Sequence, residues 1–469
     1  MMSGLLFFVR INLHPTIISY DFLLFLIILY CQNSLSSLFL LIFMAILIYN
    51  ICNVLFTIYI NKENTVNKTV GSTLLVSGTM IGAGMLAMPL TSAGIGFTFT
   101  FFLLIALWAL LTCTALLFVE VYQTVEHDAG IGSLSAQYFG RFGRVISTTV
   151  LLVFLYALLS AYVTGGGSIL ASSLPLIGDE DSTFKIAIGL FTLFFGAFVI
   201  IGTKSVDGIN RLLFCIMLFT FASVLFLMLP KVSVDNLMAM PIDKALLLSA
   251  SPIFFTSFGF HGSIPSLNNY LQGNVKALRF AILVGSIITL IFYIVWQLST
   301  HGVLSQNVFL QILNDDPTLN GLVDASLQIT RSSMISQAVK VFSALALITS
   351  FLGVALGLFE CIEDLLKRAF NVSAGRMTLG VLTFLPPLLF AFFYPKGFIL
   401  ALSYAGQMFA FYAVVLPIAL VWKARQVHPN LAYRVMGGTP MLLLVLILGV
   451  TITLVPFAIR MGYLPSVVG

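Results

Sequence analysis

Charge is scarce in this sequence. Of 469 residues only 8% are Asp, Glu, Lys or Arg, while 59% are hydrophobic. Soluble domains carry roughly a quarter charged residues and just under half apolar ones. A chain so poor in charge has too little polar surface to cover itself in water, which excludes a soluble globular protein. Cysteine is also scarce: Cys31, Cys52, Cys113, Cys215 and Cys361 sit in or beside apolar runs, with no CxxC pair and no His-linked spacing. They read as small packing residues, not as a disulfide framework or a metal site. There is no GxSxG, no HExxH and no phosphate-binding Gly-Lys loop, so no catalytic constellation emerges and no cofactor or metal is expected. The net charge of +5 comes from basic residues scattered between apolar runs and requires no nucleic acid. No filter or pore ring repeated by symmetry marks a channel.

Long apolar runs are abundant. Stretches of about 20 residues recur along nearly the whole chain, the length a helix needs to cross a bilayer of roughly 30 Å. They are continuous, unlike the alternating ten-residue segments of an outer-membrane barrel. The pattern predicts an all-α polytopic membrane protein with eleven core spans. They lie near 72–96, 98–122, 144–172, 184–203, 209–229, 246–271, 278–299, 336–361, 377–394, 397–421 and 440–461. With residue 71 placed in the cytoplasm, inner loops hold fourteen Lys and Arg residues against seven outside. That bias places the start of the core inside and its end outside. Residues 1–66 form a hydrophobic extension with apolar runs near 17–31 and 35–60, which is either an extra helix or hairpin or a mis-assigned start. It lacks the charged start and cleavage site of a signal peptide.

Two spans carry glycine and polar residues at mid-membrane. The first contains GTMIGAGMLAMP (78–89), and the sixth contains FTSFGFHGSIPS (255–266) with His261 between Gly259 and Gly262. Glycine and proline lower helix stability by roughly 1 and 3 kcal/mol relative to alanine. Backbone freed from its helix at that depth is tolerated only in a cavity or buried in protein. Close helix packing alone accounts for some glycine patterns. Matched breaks five spans apart, however, place two copies in opposite orientations, as a five-plus-five inverted repeat requires, and mark a transporter binding site. The expected division is residues 67–230, 241–422 and 432–469: first repeat, second repeat, and eleventh span with the C-terminus. Unwound N–H groups suit a carboxylate, and freed carbonyls suit an ammonium group or cation. A zwitterionic amino acid fits such a place without any buried charged side chain.

The two motifs, GSTLLVSGTMIGAGMLAMPLTSAGIGF (71–97) and SPIFFTSFGFHGSIPSLNNY (251–270), resemble signatures of the hydroxy and aromatic amino acid permeases, within the amino acid–polyamine–organocation superfamily. Further matches run in order: EVYQ (120–123), LLSAYVTGGGSILASSL (158–174), VDGINRLLF (206–214), SFLGVALGLFE (350–360), LTFLPPLLFAFFYPKGFILALSYAG (382–406) and YRVMGGTP (433–440). LAMPLTSAGIGF followed by LIALWALL and EVYQ looks closer to the tyrosine-specific members than to the tryptophan ones. The resemblance implies two inverted five-helix repeats and proton-coupled uptake of an aromatic amino acid, tyrosine foremost, across the bacterial inner membrane. A tryptophan or broad aromatic or hydroxy amino acid permease, or a sodium-coupled variant, is the alternative.

Carried over by position, Thr79, Met80, Ile81, Gly82, Ala83 and Gly84 would hold the amino and carboxyl groups. Phe258, Gly259, Phe260 and His261 would supply the facing half, with Tyr156 and Tyr162 flanking. Thr349 and Ser350 on the eighth span are coupling candidates, as are His261, Glu120 and Glu360. The resemblance also implies a lysine two turns into the fifth span as a stand-in for sodium, a position occupied here by Met217. His261 could bind a phenolic hydroxyl, exchange a proton near neutrality or hold the break through backbone. Glu120 and Glu360 also read as solvated caps or salt-bridge partners, and Asp207 and Arg211 as an i,i+4 pair or inner gate. Trp108, Trp296 and Trp422 read as core or interfacial anchors.

Overall fold

The computed structural model describes residues 65–467 apart from 128, 177, 317, 318 and 370. The apolar runs before residue 65 lie outside the described residues, as do the side chains of Asp207 and Arg211. The described chain is helical, with no strand among its elements. The first apolar segment is split into α1 (Thr65–Met80) and α2 (Ala83–Ser92), bent by 45°. There follow α3 (Gly96–Tyr122), α4 (Ile131–Ala171), α5 (Glu180–Ile201) and α6 (Thr203–Met228). The sixth segment is split as well, into α7 (Leu246–Ser257) and the short α8 (Ile264–Tyr270), joined through a 3-10 turn at His261–Ser263.

The second half continues with α9 (Val275–Val303), α10 (Gln306–Asp315), α11 (Leu319–Thr330), α12 (Ser333–Ala369) and α13 (Arg376–Phe393). A tenth apolar segment runs as α14 (Phe398–Ala410), a π-helical turn (Phe411–Val415) and α15 (Leu416–Val427), and α16 (Gly438–Arg460) closes the chain. Among the described residues, nine helices are long and apolar enough to cross a membrane, or ten if α1 and α2 form one bent span. The expected span at 246–271 is absent from that number because its break leaves pieces of 12 and 7 residues.

The distribution of side chains fits lipid surroundings. Leu193, Phe194, Phe102 and Phe393 are exposed, while Glu120, His261, Gln297 and Trp296 are fully buried. Apolar exteriors of this extent mark contact with a membrane or a partner, not with water. α4 comprises two helices joined at Gly140 (φ 63°, ψ −154°): a short one over 131–139, and a span beginning just after it, close to the expected 144–172. That left-handed φ costs an L-residue roughly 1–2 kcal/mol and glycine almost nothing.

Packing brings the broken segments to one place. α9 lies against α1 and α3, and α7 lies against α2, α14 and α16. α12 packs on α4 and α6 and reaches α2, while α4 also packs on α5 and α14. The two breaks therefore share α9 on one side, with α12 and α14 close by.

Candidate functional site

α1 ends at Met80 and α7 at Ser257, and an α-helix leaves its last carbonyls without intrahelical donors. The Tyr293 hydroxyl of α9 lies 2.6 Å from the Met80 carbonyl oxygen and 2.6 Å from that of Ser257. One fully buried phenol thus touches both breaks. Farther along α9, Trp296 Nε1 donates to the Met85 carbonyl at 3.0 Å, and His301 Nε2 lies 2.7 Å from Ser92 Oγ. α9 is therefore hydrogen-bonded along the length of α2.

The glycines of the first break permit direct helix contact. At Gly82, the extended residue before α2, a Cβ would overlap the Ser350 hydroxyl of α12. At Gly84 it would stand 2.5 Å from Ser257 Oγ and 2.9 Å from Ser257 Cα. Met80 and Ile81 are buried here, while Thr79 is exposed and its hydroxyl donates to the Val76 carbonyl at 2.9 Å. The side chain of Ala83 lies outside the described residues. Tyr162 of α4 is buried, and its phenol interacts with Ser350 and lies close to Tyr293.

The second break supplies the aromatic surroundings. Phe258 packs edge-on against Tyr293 with centroids 5.0 Å apart. His261 is fully buried between Phe118, Phe260 and Phe409, at 6.1, 5.0 and 5.3 Å. Its Nε2 lies 2.8 Å from Thr114 Oγ1, and that hydroxyl donates to the Leu111 carbonyl at 3.0 Å. With the threonine proton so directed, the proton of a neutral imidazole belongs on Nε2, a tautomer assigned from the hydrogen-bond pattern. Nδ1 is then a bare acceptor, buried and without a hydrogen-bond partner among the described residues. Gly259 lies against the Thr256 carbonyl and Phe409, so no larger residue fits there without displacement.

The remaining predicted residues are dispersed. Thr349 Oγ1 is 3.8 Å from Met217 Sδ and donates back to its own helix at Leu345 and Ala346. Met217, the fifth-span position at which the resemblance implies a lysine, thus places a thioether beside the eighth-span hydroxyl. The Tyr156 hydroxyl donates to the Leu382 carbonyl of α13 at 2.8 Å, so its contact is with α13 and not with either break. Glu360 is exposed on α12. Glu120 is fully buried in an ion pair with Arg425 of α15, away from the breaks, at the ends of α3 and α15. A cavity of about 170 Å³ lined by Thr91, Gly94, Leu246 and Leu310 lies at the far end of α2, apart from these contacts.

Tyr293, Ser257 and Thr114 have no place in the site expected from sequence. The available signal was the stripe Tyr293, Trp296, Gln297 and His301 at helical spacing, since polar atoms in an apolar span require partners.

Comparison with known proteins decides the family. The model of the tryptophan/tyrosine permease family matches residues 65–456. The chain belongs to that family. Among similar members, the Haemophilus influenzae protein named tyrosine-specific transport system 1 is 70% identical over 86% of this chain and all of its own length. Tyrosine-specific transport system 2 of the same organism is 57% identical over 86% of this chain and 99% of its own. A tryptophan-specific transport protein, also from Haemophilus influenzae, is 31% identical over 85% of this chain and 98% of its own. With its apolar helices, this permease-family member is a multi-pass bacterial membrane protein.

Proposed function

We propose that this permease is a secondary active transporter that takes up an aromatic amino acid, foremost tyrosine, with a proton across the inner membrane. The reading rests on one observation above others: two interrupted helices meet at a buried hydroxyl with their terminal carbonyls turned toward it. Freed carbonyls accept an ammonium group, and the first turn of α2 offers backbone N–H groups to a carboxylate. The segment Thr79–Gly84 holds the main-chain end of the substrate. Phe258, Phe260 and His261 face its ring, and Nδ1 of His261, without a hydrogen-bond partner among the described residues, meets the phenolic hydroxyl, accepting from it when neutral and donating to it once protonated.

The much higher identity to the tyrosine-specific relatives than to the tryptophan-specific one supports tyrosine. Residues 67–230 and 241–422 act as inverted repeats, and exchange of their arrangement exposes the site alternately to each side. The coupling proton exchanges at His261, because Met217 offers no ionisable group beside Thr349.

The reading is tested with purified protein in liposomes, measuring radiolabelled tyrosine uptake under an inward proton gradient and, separately, with sodium varied. Accumulation that follows the proton gradient and is competed best by unlabelled tyrosine is expected. Accumulation that follows sodium alone overturns the coupling. Uptake competed by another amino acid in preference to tyrosine moves the error to the pocket around His261.

A further inference from the structure

Tyr293 carries one hydroxyl proton and faces two carbonyl acceptors, those of Met80 and Ser257, each at 2.6 Å. Both distances lie within the range of O–H···O hydrogen bonds, about 2.5–3.0 Å. The proton serves one carbonyl fully or both in part, so the pair of acceptors exceeds the supply of donors by one. The phenol has little freedom to turn away: it is fully buried, Phe258 packs edge-on against its ring, and Tyr162 lies beside it. Both acceptors are the final carbonyls of their helices, so neither finds a donor in its own ladder.

We propose that Tyr293 is the positioning residue for the substrate's amino group. Its hydroxyl ties the two breaks at a fixed spacing, a task a bound metal cation would otherwise perform, and leaves one carbonyl short of a donor. An ammonium group with three N–H donors completes the set. The inference rests on the amino acid transport reading. It assigns the main-chain end of the substrate to the Met80–Tyr293–Ser257 join, and makes wild-type substrate binding independent of sodium at this point. Trp296, one turn on, bonds to Met85 within α2 and holds the helix without reaching either break.

The test compares wild type, Tyr293→Phe and Trp296→Phe in detergent and in liposomes. The midpoint for stabilisation by tyrosine is measured by thermal unfolding, and the KM for uptake alongside it, in sodium and in choline buffers. Tyr293→Phe should raise both the midpoint and KM by about tenfold or more, as expected for loss of one hydrogen bond to a charged assembly. Trp296→Phe should stay within about threefold. Unchanged binding in Tyr293→Phe overturns the proposal, as does an equal loss in Trp296→Phe. Wild-type binding that requires sodium overturns the bridging role. If Tyr293→Phe does not fold, a series of ring-fluorinated tyrosines decides. Their midpoints should move with the acidity of the phenol, and a constant midpoint overturns the proposal. Stabilisation of wild type by a different amino acid counts against tyrosine as substrate alone, and the same variants are then compared with that ligand.

Discussion

Glu120 and Arg425 form a two-pronged ion pair, with Arg425 Nε 2.7 Å from Oε1 and Nη2 2.9 Å from Oε2 of a fully buried carboxylate. The Val435 N–H donates to Oε2 at 2.8 Å, and Arg425 Nη2 donates to the Val435 carbonyl at 3.2 Å. Beside them Gln123 exchanges two hydrogen bonds with the Tyr433 backbone, at 2.9 and 3.0 Å, and Arg279 lies 4.0 Å from the centre of the Tyr433 ring. The connection between α15 and α16 is thereby fastened to α3 and α9. Breaking a buried pair from one side leaves an uncompensated charge, at a cost of roughly 3–5 kcal/mol. Glu120→Gln should therefore lower thermal stability sharply. Replacing both partners by Leu should cost clearly less than the sum of the single changes in a double-mutant cycle. Strict additivity would show that the pair carries no coupling.

Gly84 meets Ser257 and has no space for a side chain, whereas Gly262 meets nothing within 4 Å. Overpacking of a close contact costs about 1–3 kcal/mol. Gly84→Ala should push the two breaks apart and reduce tyrosine uptake by about tenfold, while Gly262→Ala stays within about twofold. Equal behaviour of the two variants, at matched protein levels in the membrane, would remove close approach as the reason for glycine at position 84.

His261 has one nitrogen held by Thr114 and the other without a hydrogen-bond partner among the described residues. His261→Ala should abolish or sharply weaken uptake while the protein still reaches the membrane. Thr114→Val removes the orienting partner and should raise KM by several-fold, about the worth of one neutral hydrogen bond. Near-normal kinetics in His261→Ala would assign the ring to packing.

Thr349 directs its hydroxyl to its own helix and lies 3.8 Å from the Met217 thioether across the interface. Thr349→Val should leave uptake within about threefold, because such a bond is worth about 0.5–1.5 kcal/mol net. A loss far beyond that, accompanied by changed dependence on sodium or pH, would assign the hydroxyl to ion coupling.

The breaks were legible because they are written in backbone chemistry. Glycine and proline weaken helices wherever they stand, so 78–84 and 259–265 announced themselves without knowledge of neighbours. The join itself was not legible. Tyr293 sits in an unbroken apolar run, where an aromatic residue reads as core, and its acceptors lie 213 and 36 residues away. The partner of Glu120 is likewise hidden by a separation of 305 residues, although a salt bridge was one of the readings its position allowed. Tyr156 and Tyr162 are six apart on one helix, and only the packing of α4 shows that the first turns to α13 and the second to Ser350. The short helices α10 and α11, of 10 and 12 residues, fall below the length that crosses a bilayer and so leave no span-length apolar run in the sequence.

The π-helical turn at Phe411–Val415 bears on all of this from a distance. An α-helix advances about 100° per residue, so the surplus residue in that turn sets the angular phase of everything after it relative to everything before. Phe409 above it is aimed at His261 and Arg425 below it at Glu120, two targets that a helix of unbroken pitch would not meet together. Deleting one residue there would return the turn to ordinary pitch and leave the two halves near their present phase, whereas forcing the same residues into unbroken α-helix would rotate the lower half by about 100° and send the guanidinium to a different neighbour.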